Sequence, residues 1–302
     1  MNIIDVEHVS YAYGRATALR DVNLSVPEGA LFALLGPNGS GKTTLMQVLM
    51  GLRRAQRGRV TVMGIDPAAI APRDRARIGY VAEAQSLPER MTLREIEAYL
   101  APLYDTWDPA LAGSLRERFA LDPNRRLRTL SRGERMKAAL LCALAPRPRL
   151  LLMDEPFTGM DALVKDELVR GLLESSGTEG WTVLICSHDI GELEILADTV
   201  GFLDHGTVRL SEPMDVLHRR FKHVDVALPT AGSAPSLPGE WLQIERAGQR
   251  LSFLASNADR LSLEAAVAER IGGAPRIEIR DATLREIFVA LAKHSVPLET
   301  AA

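Results

Sequence analysis

A glycine-rich loop between an apolar strand and an apolar helix is the feature that most constrains this chain. Residues 36–43 read GPNGSGKT, after the strand-like run ALFALLG and before the helical run TTLMQVLMGL. This is the G-x-x-x-x-G-K-[ST] pattern in the strand–loop–helix context that predicts a phosphate-binding loop. Its glycines let consecutive backbone N–H groups converge on phosphate oxygens without a clash from Cβ. The predicted binding residues are Gly36, Pro37, Asn38, Gly39, Ser40, Gly41, Lys42, Thr43 and Thr44.

Two side chains of this loop and two at the end of a second apolar run predict the chemistry. Lys42 adds a positive charge toward the β- and γ-phosphates, and the Thr43 hydroxyl suits Mg²⁺. LLLMDEP (150–156) carries Asp154, placed to hold Mg²⁺, and Glu155, which can act as a general base on the attacking water. The sequence has no N/T-K-x-D guanine-reading motif, so these residues favour ATP over GTP.

Composition narrows the class of protein. The chain has 302 residues, of which 46% are hydrophobic and 25% charged, and this is enough for one large and one small domain. Its net charge of −3 provides no general attraction for nucleic acid or anionic lipid. Cys142 and Cys186 lie in apolar runs, which is typical of core residues in an intracellular protein. Because the chain shows neither a membrane-spanning run nor the basic start of a signal peptide, we expect a cytoplasmic protein.

The pattern of apolar runs predicts the organisation of the chain. Up to about residue 220, short apolar runs alternate with helical patterns, which predicts an α/β domain over 1–220 with a mainly parallel central sheet. The wholly helical pattern of residues 92–145 indicates a helical insertion. The predicted strands are VNLSV (22–26), ALFALLG (30–36), LLLMD (150–154), TVLICS (182–187) and TVGFLD (199–204).

A change of pattern after Phe221 predicts a second, small α+β domain over 221–295. The runs HVDVAL, WLQIERAGQRLSFLAS, LSLEAAVAERI, RIEIR and TLREIFVALAKH predict a strand, a hairpin, a helix, a strand and a helix. PTAGSAPSLPG (229–239) is rich in Pro, Gly and Ser and is predicted to be a mobile loop. Residues 296–302 are predicted to be a flexible tail.

The stretch LSRGE (130–134) opens a strong helix and admits two interpretations. Ser131 can cap the helix, which is an ordinary role for serine. Alternatively, Ser131, Arg132 and Gly133 bind an anion together, because the first N–H groups of a helix have no partner within it. The residues alone leave both interpretations open.

Taken together, the motifs resemble those of the nucleotide-binding subunits of ABC transporters, over residues 3 to about 220. LSRGE resembles the signature motif of that family, and FTGMD resembles its D-loop, ending at Asp161. CSHD is similar to the segment that carries the switch histidine, here His188. Tyr13 falls where the family stacks an aromatic ring on adenine, with Tyr11 as the competitor. The fold that this resemblance implies is a P-loop NTPase domain of ABC type with a helical insertion.

The resemblance also implies an activity and partners. It implies an ATPase with ATP and Mg²⁺ as ligands, in which Glu155, His188 and Lys42 are catalytic. Two such subunits, identical or paralogous, would pair head to tail, so that Ser131 and Gly133 contact the γ-phosphate of ATP held by the other subunit. The pair would power an integral membrane permease and lie peripherally on the inner face of the cell membrane.

Three departures from the family pattern affect these expectations. The glutamine expected three residues after Tyr80 is replaced by Glu83, and Gln85 lies two residues further on, so either can take the contact with metal and water. The signature motif has Arg132 where glycine is commonest and Glu134 where glutamine is commonest. Such changes resemble the exporter branch that moves drugs, lipids, polysaccharides or peptides.

The C-terminal domain resembles the small regulatory extensions of that exporter branch. Their last helix often follows a short Ser/Thr-Leu-acidic pattern, and TLREIFVALA (283–292) is comparable. A nucleic-acid-binding tail is the alternative, but Lys222–Ala302 contains 9 Lys and Arg against 10 Asp and Glu. We therefore expect no nucleic-acid partner.

Two further alternatives concern the whole chain: a soluble ABC-type ATPase acting on the ribosome or DNA, and a nucleotide-binding regulator without turnover. The single phosphate loop, the absence of a long coiled coil and the intact acidic pair favour a transport motor over both. Contact with the permease is expected at the helical insertion and the Glu83 loop. Leu93, Ile96, Leu100 and Leu103 form a stripe interpreted as core, and the aromatic candidates for the contact are Tyr99, Tyr104 and Trp107.

Overall fold

The computed structural model divides into two compact units, Met1–Val208 and Arg209–Ala302. The division lies about a dozen residues before the predicted boundary. Residues Glu212 and Arg220 form a buried ion pair inside the second unit, which ties this segment to it. The structure describes residues 1–84, 87–160, 164–166, 168–170, 181–228, 241–256, 260–271 and 276–293. The predicted mobile loop and flexible tail lie outside the described residues.

The first unit contains a mainly parallel sheet that is buried on both faces. Its strands run in the order β5-β6-β7-β3-β8-β9, and every pair of neighbours from β5 to β8 is parallel. All residues of β3, β6 and β7 are buried, which explains their continuous apolar sequences. The strands are β3 (Leu31–Leu35), β5 (Ile78–Val81), β6 (Leu150–Asp154), β7 (Thr182–Ser187) and β8 (Thr199–Asp204).

An antiparallel sheet lies beside it in the same unit. Its order is β2-β1-β4, with β1 at Asn2–Tyr13, β2 at Ala16–Pro27 and β4 at Arg57–Val62. A turn at His205–Gly206 leads from β8 into β9 (Thr207–Pro213), and the division between the units falls inside this strand. The five strands predicted from the sequence are confirmed as β2, β3, β6, β7 and β8.

The helices of the first unit begin where the sequence provides caps. Thr92 and Glu95 form a capping box at the start of α3, and the Asp108 side chain caps α4, whose first residue is Pro109. α3, α4 and α5 all lie within residues 92–145, the range of the predicted helical insertion. The helices are α1 (Lys42–Leu49), α2 (Pro72–Arg75), α3 (Leu93–Leu100), α4 (Pro109–Arg118), α5 (Arg132–Leu144) and α6 (Ile190–Leu193). Among the described residues, none of the helices is long and apolar enough to cross a membrane.

The apolar stripe of α3 is core only over its first half. Leu93 and Ile96 are buried, whereas Leu103 is 60% exposed. The stripe ends because α3 stops at Leu100, and the 3₁₀ turn Ala101–Leu103 that follows has a different period. The prediction that Leu103 belongs to the core is therefore wrong.

The second unit begins with the end of β9, which leads into a short helix and then into an antiparallel sheet flanked by further helices. α7 (Met214–Arg220) precedes four strands in the order β11-β12-β10-β13. Val224, Phe253 and Val267 belong to one apolar cluster, in which the Trp241 and Phe253 rings stack at 3.9 Å. The predicted element order is confirmed by β10 (Phe221–Ala227), β11 (Trp241–Ala247), β12 (Arg250–Ser256), α8 (Arg260–Ile271), β13 (Arg276–Asp281) and α9 (Leu284–Lys293).

Candidate functional site

The phosphate-loop sequence runs from the end of β3 to the start of α1. Gly41 has a φ of 111°, and a Cβ there would come within 2.5 Å of the Ala18 carbonyl oxygen. A Cβ at Gly36 would meet the Leu203 carbonyl oxygen at 2.2 Å. α1 begins at Lys42, so the first N–H groups of this helix have no partner within it and face the loop. Such a helix start attracts anions.

The Lys42 ammonium is buried and has three oxygen neighbours. It donates hydrogen bonds to the carbonyl oxygens of Gly36, at 2.7 Å, and Pro37, at 3.2 Å. Its third neighbour is Oε1 of Glu155, at an ion-pair distance of 3.2 Å. This oxygen accepts no hydrogen bond from the described residues. This pair links the loop to the end of β6. A buried cation needs such partners because its desolvation is costly.

Glu155 connects three elements of the site. Its φ of 49° lies in the left-handed region, which costs a residue other than glycine roughly 1–3 kcal/mol. Its N–H donates to the Cys186 carbonyl oxygen in β7 at 2.9 Å. Oε2 lies 2.7 Å from Nδ1 of His188 and accepts a hydrogen bond from the Thr158 hydroxyl at 3.2 Å. The carboxylate is therefore held between Lys42 and His188.

The residues predicted to hold Mg²⁺ provide the oxygen ligands that a hard cation prefers. Burial raises the pKa of Asp154, and the carboxylates of Glu155 and Glu83 raise it further against the opposing effects of Thr43 and Lys42. Oδ1 of Asp154 is buried and accepts no hydrogen bond from the described residues. Mg²⁺ prefers one or two carboxylates together with water and phosphate oxygens. Among the described residues, no three His, Cys, Asp or Glu side chains lie close enough to hold a metal by themselves.

A cavity of about 540 Å³ opens over the loop and brings most predicted residues together. Thr158 also lines it and was missed by sequence reasoning, although its position three residues after Glu155 is a signal. Ala16, Thr17 and Ala18 were missed as well, because nothing in their sequence marks them. The predicted residues in its wall are Tyr13, Asn38, Gly39, Gly41, Lys42, Thr43, Thr44, Glu83, Glu155 and His188.

Tyr13 and not Tyr11 reaches this cavity. The Tyr13 side chain is 43% exposed, and its Oη lies 3.4 Å from Oγ1 of Thr44 and 3.3 Å from Oε1 of Gln47. Tyr11 packs against the core of the unit. Gln85 and Asp161, two other predicted binding residues, lie outside the described residues.

The signature-like segment has structural roles within its own chain. Oγ of Ser131 accepts the Glu134 N–H at 3.2 Å, and Glu134 accepts the Ser131 N–H at 2.8 Å. The Ser131 N–H, together with the Arg125 guanidinium, holds the pKa of Glu134 below its usual range. A Cβ on Gly133 would come within 2.8 Å of Cγ1 of Val164. Both the cap and the glycine therefore have a local explanation, and neither Ser131 nor Gly133 lines the 540 Å³ cavity.

Arg132 faces a different cavity from the one over the phosphate loop. Its guanidinium packs over Gly159, with Nη1 2.8 Å from the place a Cβ would occupy. Together with Arg135, Glu83 and Ala84 it lines a cavity of about 430 Å³. Glu83 is thus shared by both cavities.

An apolar groove of about 550 Å³ lies on the helical insertion side of β5. Burial raises the pKa of Tyr80 to about 12 and that of Cys142 to about 12, so both groups are neutral in this groove. Tyr104 lines the groove, whereas Tyr99 and Trp107 do not. Its wall includes Ile78, Tyr80, Leu87, Leu100, Tyr104 and Cys142.

Comparison with known proteins agrees with this geometry. The family model described as ABC transporter matches residues 19–158. The chain is 37% identical over 225 residues to the sulfate/thiosulfate import ATP-binding protein CysA 1 of Chromobacterium violaceum. The alignment covers 70% of this chain and 62% of that protein. The chain thus spans about three-fifths of the length of that relative.

Two solved structures are similar to this chain over about 70% of its length. One is an ATP-binding subunit of an ABC transporter, with a TM-score of 0.66, 28% identity, and coverage of 72% of this chain and 92% of that one. The other is a dimeric bacterial ABC transporter cassette, with a TM-score of 0.63, 25% identity, and coverage of 70% and 98%. The fold of this chain is therefore that of an ABC-type P-loop NTPase, with an additional C-terminal sheet.

Proposed function

Starting from an ABC-type cassette, we propose that this chain is the ATP-hydrolysing motor subunit of a membrane transporter. The observation that carries the proposal is the position of Glu155, held between Lys42 of the phosphate loop and His188 at the wall of one cavity. A base, a cation and a phosphate-binding helix start meet there, which is what phosphoryl transfer to water requires.

Glu155 is the general base in this proposal. When ATP is bound, the Lys42 ammonium turns to phosphate oxygens, and Oε1 of Glu155 is released toward the attacking water. His188, 2.7 Å from Oε2, keeps the other carboxylate oxygen in place while Glu155 takes the proton. Tyr13 supplies an exposed aromatic face for adenine at the rim of the cavity.

Mg²⁺ would be held by Thr43 and Asp154, with Glu83 beside them and Gln85 as the alternative for that contact. The ion supplies neutralisation of charge on the phosphate oxygens. The unpartnered Oδ1 of Asp154 supports this assignment.

We further propose that two chains pair head to tail. Ser131 and Gly133 do not line the cavity of their own chain, so their phosphate contacts would be made to ATP held by the other chain. Ser131 uses its Oγ only as an acceptor in the capping box, and its hydroxyl hydrogen can still donate. Asp161 belongs to the same proposed interface.

The partner in the membrane is proposed to insert a short amphipathic helix into the apolar groove beside β5. The groove is mostly apolar, with Arg75 as a charged residue in its wall and with neutral Tyr80 and Cys142 side chains, which suits an amphipathic helix. Through this contact the chain would lie on the inner face of the membrane. The simplest supporting observation is a neighbouring reading frame with about six apolar segments of about 20 residues.

Export is the direction that we propose for transport, although the similar CysA 1 protein is named for import. Glu134 has a local explanation in its capping box, so the argument for export rests on Arg132 and on the C-terminal unit. The ribosome- or DNA-acting alternative is not favoured, because the similar proteins are transporter subunits. The test of the hydrolytic part of the proposal is Mg²⁺-dependent release of phosphate from ATP by the purified chain, and the absence of that release would contradict the proposal.

A further inference from the structure

Arg53 lies against the ring that is proposed to carry adenine. Its Cζ is 4.6 Å from the centroid of the Tyr13 ring and 5.7 Å from that of Tyr11. The two tyrosine rings meet edge to face, with centroids 5.0 Å apart. One face of Tyr13 is therefore covered by a cation, at a distance where cation–π attraction operates.

The same guanidinium fixes Tyr13 to the helix that follows the phosphate loop. Nε of Arg53 donates to Oε1 of Gln47 at 2.5 Å, and Nη1 donates to Oη of Tyr11 at 3.0 Å. Tyr13 shares that Gln47 oxygen, to which its hydroxyl donates at 3.3 Å. Gln47 and Thr44 are three residues apart on one face of α1, which begins at Lys42. The base-binding and phosphate-binding ends of the cavity are thus connected through one helix.

The backbone on both sides of this contact is also held. The Arg53 N–H donates to the Gln47 carbonyl oxygen at 3.1 Å. Next to Tyr13, the Gln56 side chain exchanges two hydrogen bonds of 3.0 Å with the backbone of Ala12. An aromatic ring that is 43% exposed would otherwise sample several rotamers, and restricting it before binding reduces the entropy lost on binding.

We propose that Arg53 is a positioning residue for nucleotide binding. It covers one face of Tyr13 and sets the ring at a fixed place relative to α1, so that the base of ATP stacks on the opposite face. This inference rests on the proposed function, since it requires ATP in the 540 Å³ cavity. Arg53 itself touches neither the phosphates nor the reacting atoms.

The experiment measures binding of ATP and of inorganic tripolyphosphate by calorimetry, because tripolyphosphate lacks the base. In Arg53→Ala we expect ATP affinity to fall about threefold to tenfold, the range of a lost cation–π contact and a freed ring, with tripolyphosphate binding unchanged. Arg53→Lys should recover part of the loss, since it keeps the charge but not the planar fork. Arg54→Ala is the matched control, because among the described residues Arg54 makes no hydrogen bond or ion pair.

A double substitution separates positioning from a general effect on the fold. If Arg53 acts through Tyr13, adding Arg53→Ala to Tyr13→Ala should produce no further loss of ATP affinity. Additive losses, equal losses for ATP and tripolyphosphate, or an Arg53→Ala protein that behaves like Arg54→Ala would each overturn the inference. If the wild-type chain bound neither compound, the proposed function would be wrong and this inference with it. If the wild-type chain binds both compounds, the results for the Arg53 variants test the inference alone.

Discussion

Nδ1 of His188 lies 2.7 Å from Oε2 of Glu155, at the edge of the sheet where β6 and β7 end. The two residues are 33 positions apart in the sequence. The parallel pairing of β6 with β7 brings them together, since parallel strands end at the same edge. This contact orients the proposed base and leads to the first prediction.

Glu155→Gln should preserve ATP binding and reduce hydrolysis about a hundredfold or more, because the amide keeps the size of the side chain but cannot accept the proton. Since ATP is no longer consumed, the variant should also accumulate as an ATP-bound dimer in size-exclusion chromatography. Glu117→Gln, at an exposed position of α4, is the control and should hydrolyse ATP normally. Near-normal turnover by Glu155→Gln would remove Glu155 from the role of base.

Asp154→Asn should eliminate the contribution of Mg²⁺ to ATP binding and hydrolysis. The amide has no charge for the cation, so we expect ATP to bind equally well with Mg²⁺ and with a chelator, and hydrolysis to be lost. The exposed Asp105→Asn is the matched control. A variant at Asp154 that still gains ATP affinity from Mg²⁺ would show that the ion is held elsewhere.

A mixture of two inactive variants tests whether the signature-like segment serves the partner's ATP. Ser131→Arg places a bulky cation at the signature, and Lys42→Ala removes the cation of the phosphate loop. In a head-to-tail homodimer, a mixed pair rebuilds one complete site, whereas a same-chain arrangement rebuilds none. We expect ATP-dependent association of differently tagged subunits to be rescued above either variant alone.

The control for this experiment mixes each variant with wild type. If those mixtures associate and the mixture of the two variants does not, the segment does not contact the partner's phosphate. Association is measured together with turnover, because association reports a single rebuilt site even when hydrolysis requires both sites of the dimer.

Tyr104→Glu should weaken contact with the proposed permease by about tenfold or more, because it places a charge in the apolar groove that receives the partner helix. ATP hydrolysis by the chain alone should not change, since Tyr104 does not line the 540 Å³ cavity. The measurement is recovery of the chain with membranes when it is co-expressed with the membrane protein encoded beside it. Ile195→Glu, at an exposed position outside the groove, should bind membranes normally; an equal loss in both variants would argue against the groove.

The acid stability of the second unit should depend on Glu286. The Arg280 guanidinium donates to Glu286 at 2.9 and 2.5 Å and lowers the pKa of Glu286 to about 2. Because the folded-state pKa lies below the unfolded value of 4.5, this contribution to the free energy of unfolding is complete above pH 4.5 and is lost as the pH falls toward 2.

Glu286→Gln should therefore flatten the loss of stability between pH 4.5 and 2, measured by hydrogen exchange of the β10 backbone in the full chain. Glu278→Gln, on the neighbouring strand β13, is the control. If Glu286→Gln lost stability between pH 4.5 and 2 as steeply as the wild type, the ion pair with Arg280 would not stabilise this unit.

The sequence by itself determined the features that depend on local chemistry. Continuous apolar runs such as LLLMD and TVLICS predict fully buried strands, and both form as predicted. Gly41 follows from the backbone that the phosphate loop requires, and Thr92 with Glu95 marks the start of a helix. β1 and β4 were not predicted, because their exposed residues interrupt the apolar pattern. β5 was not predicted because it has only four residues, one of them Gly79.

Only the tertiary structure decided which distant side chains meet. The choice between Tyr13 and Tyr11, the contact of Arg53 with Tyr13, and the exposure of Leu103 depend on how strands and helices are placed. The left-handed backbone of Glu155 likewise depends on its hydrogen bond to Cys186, a residue of another strand. Local propensities act over a few residues, whereas these contacts are set by strand order and register, which link positions far apart in the chain.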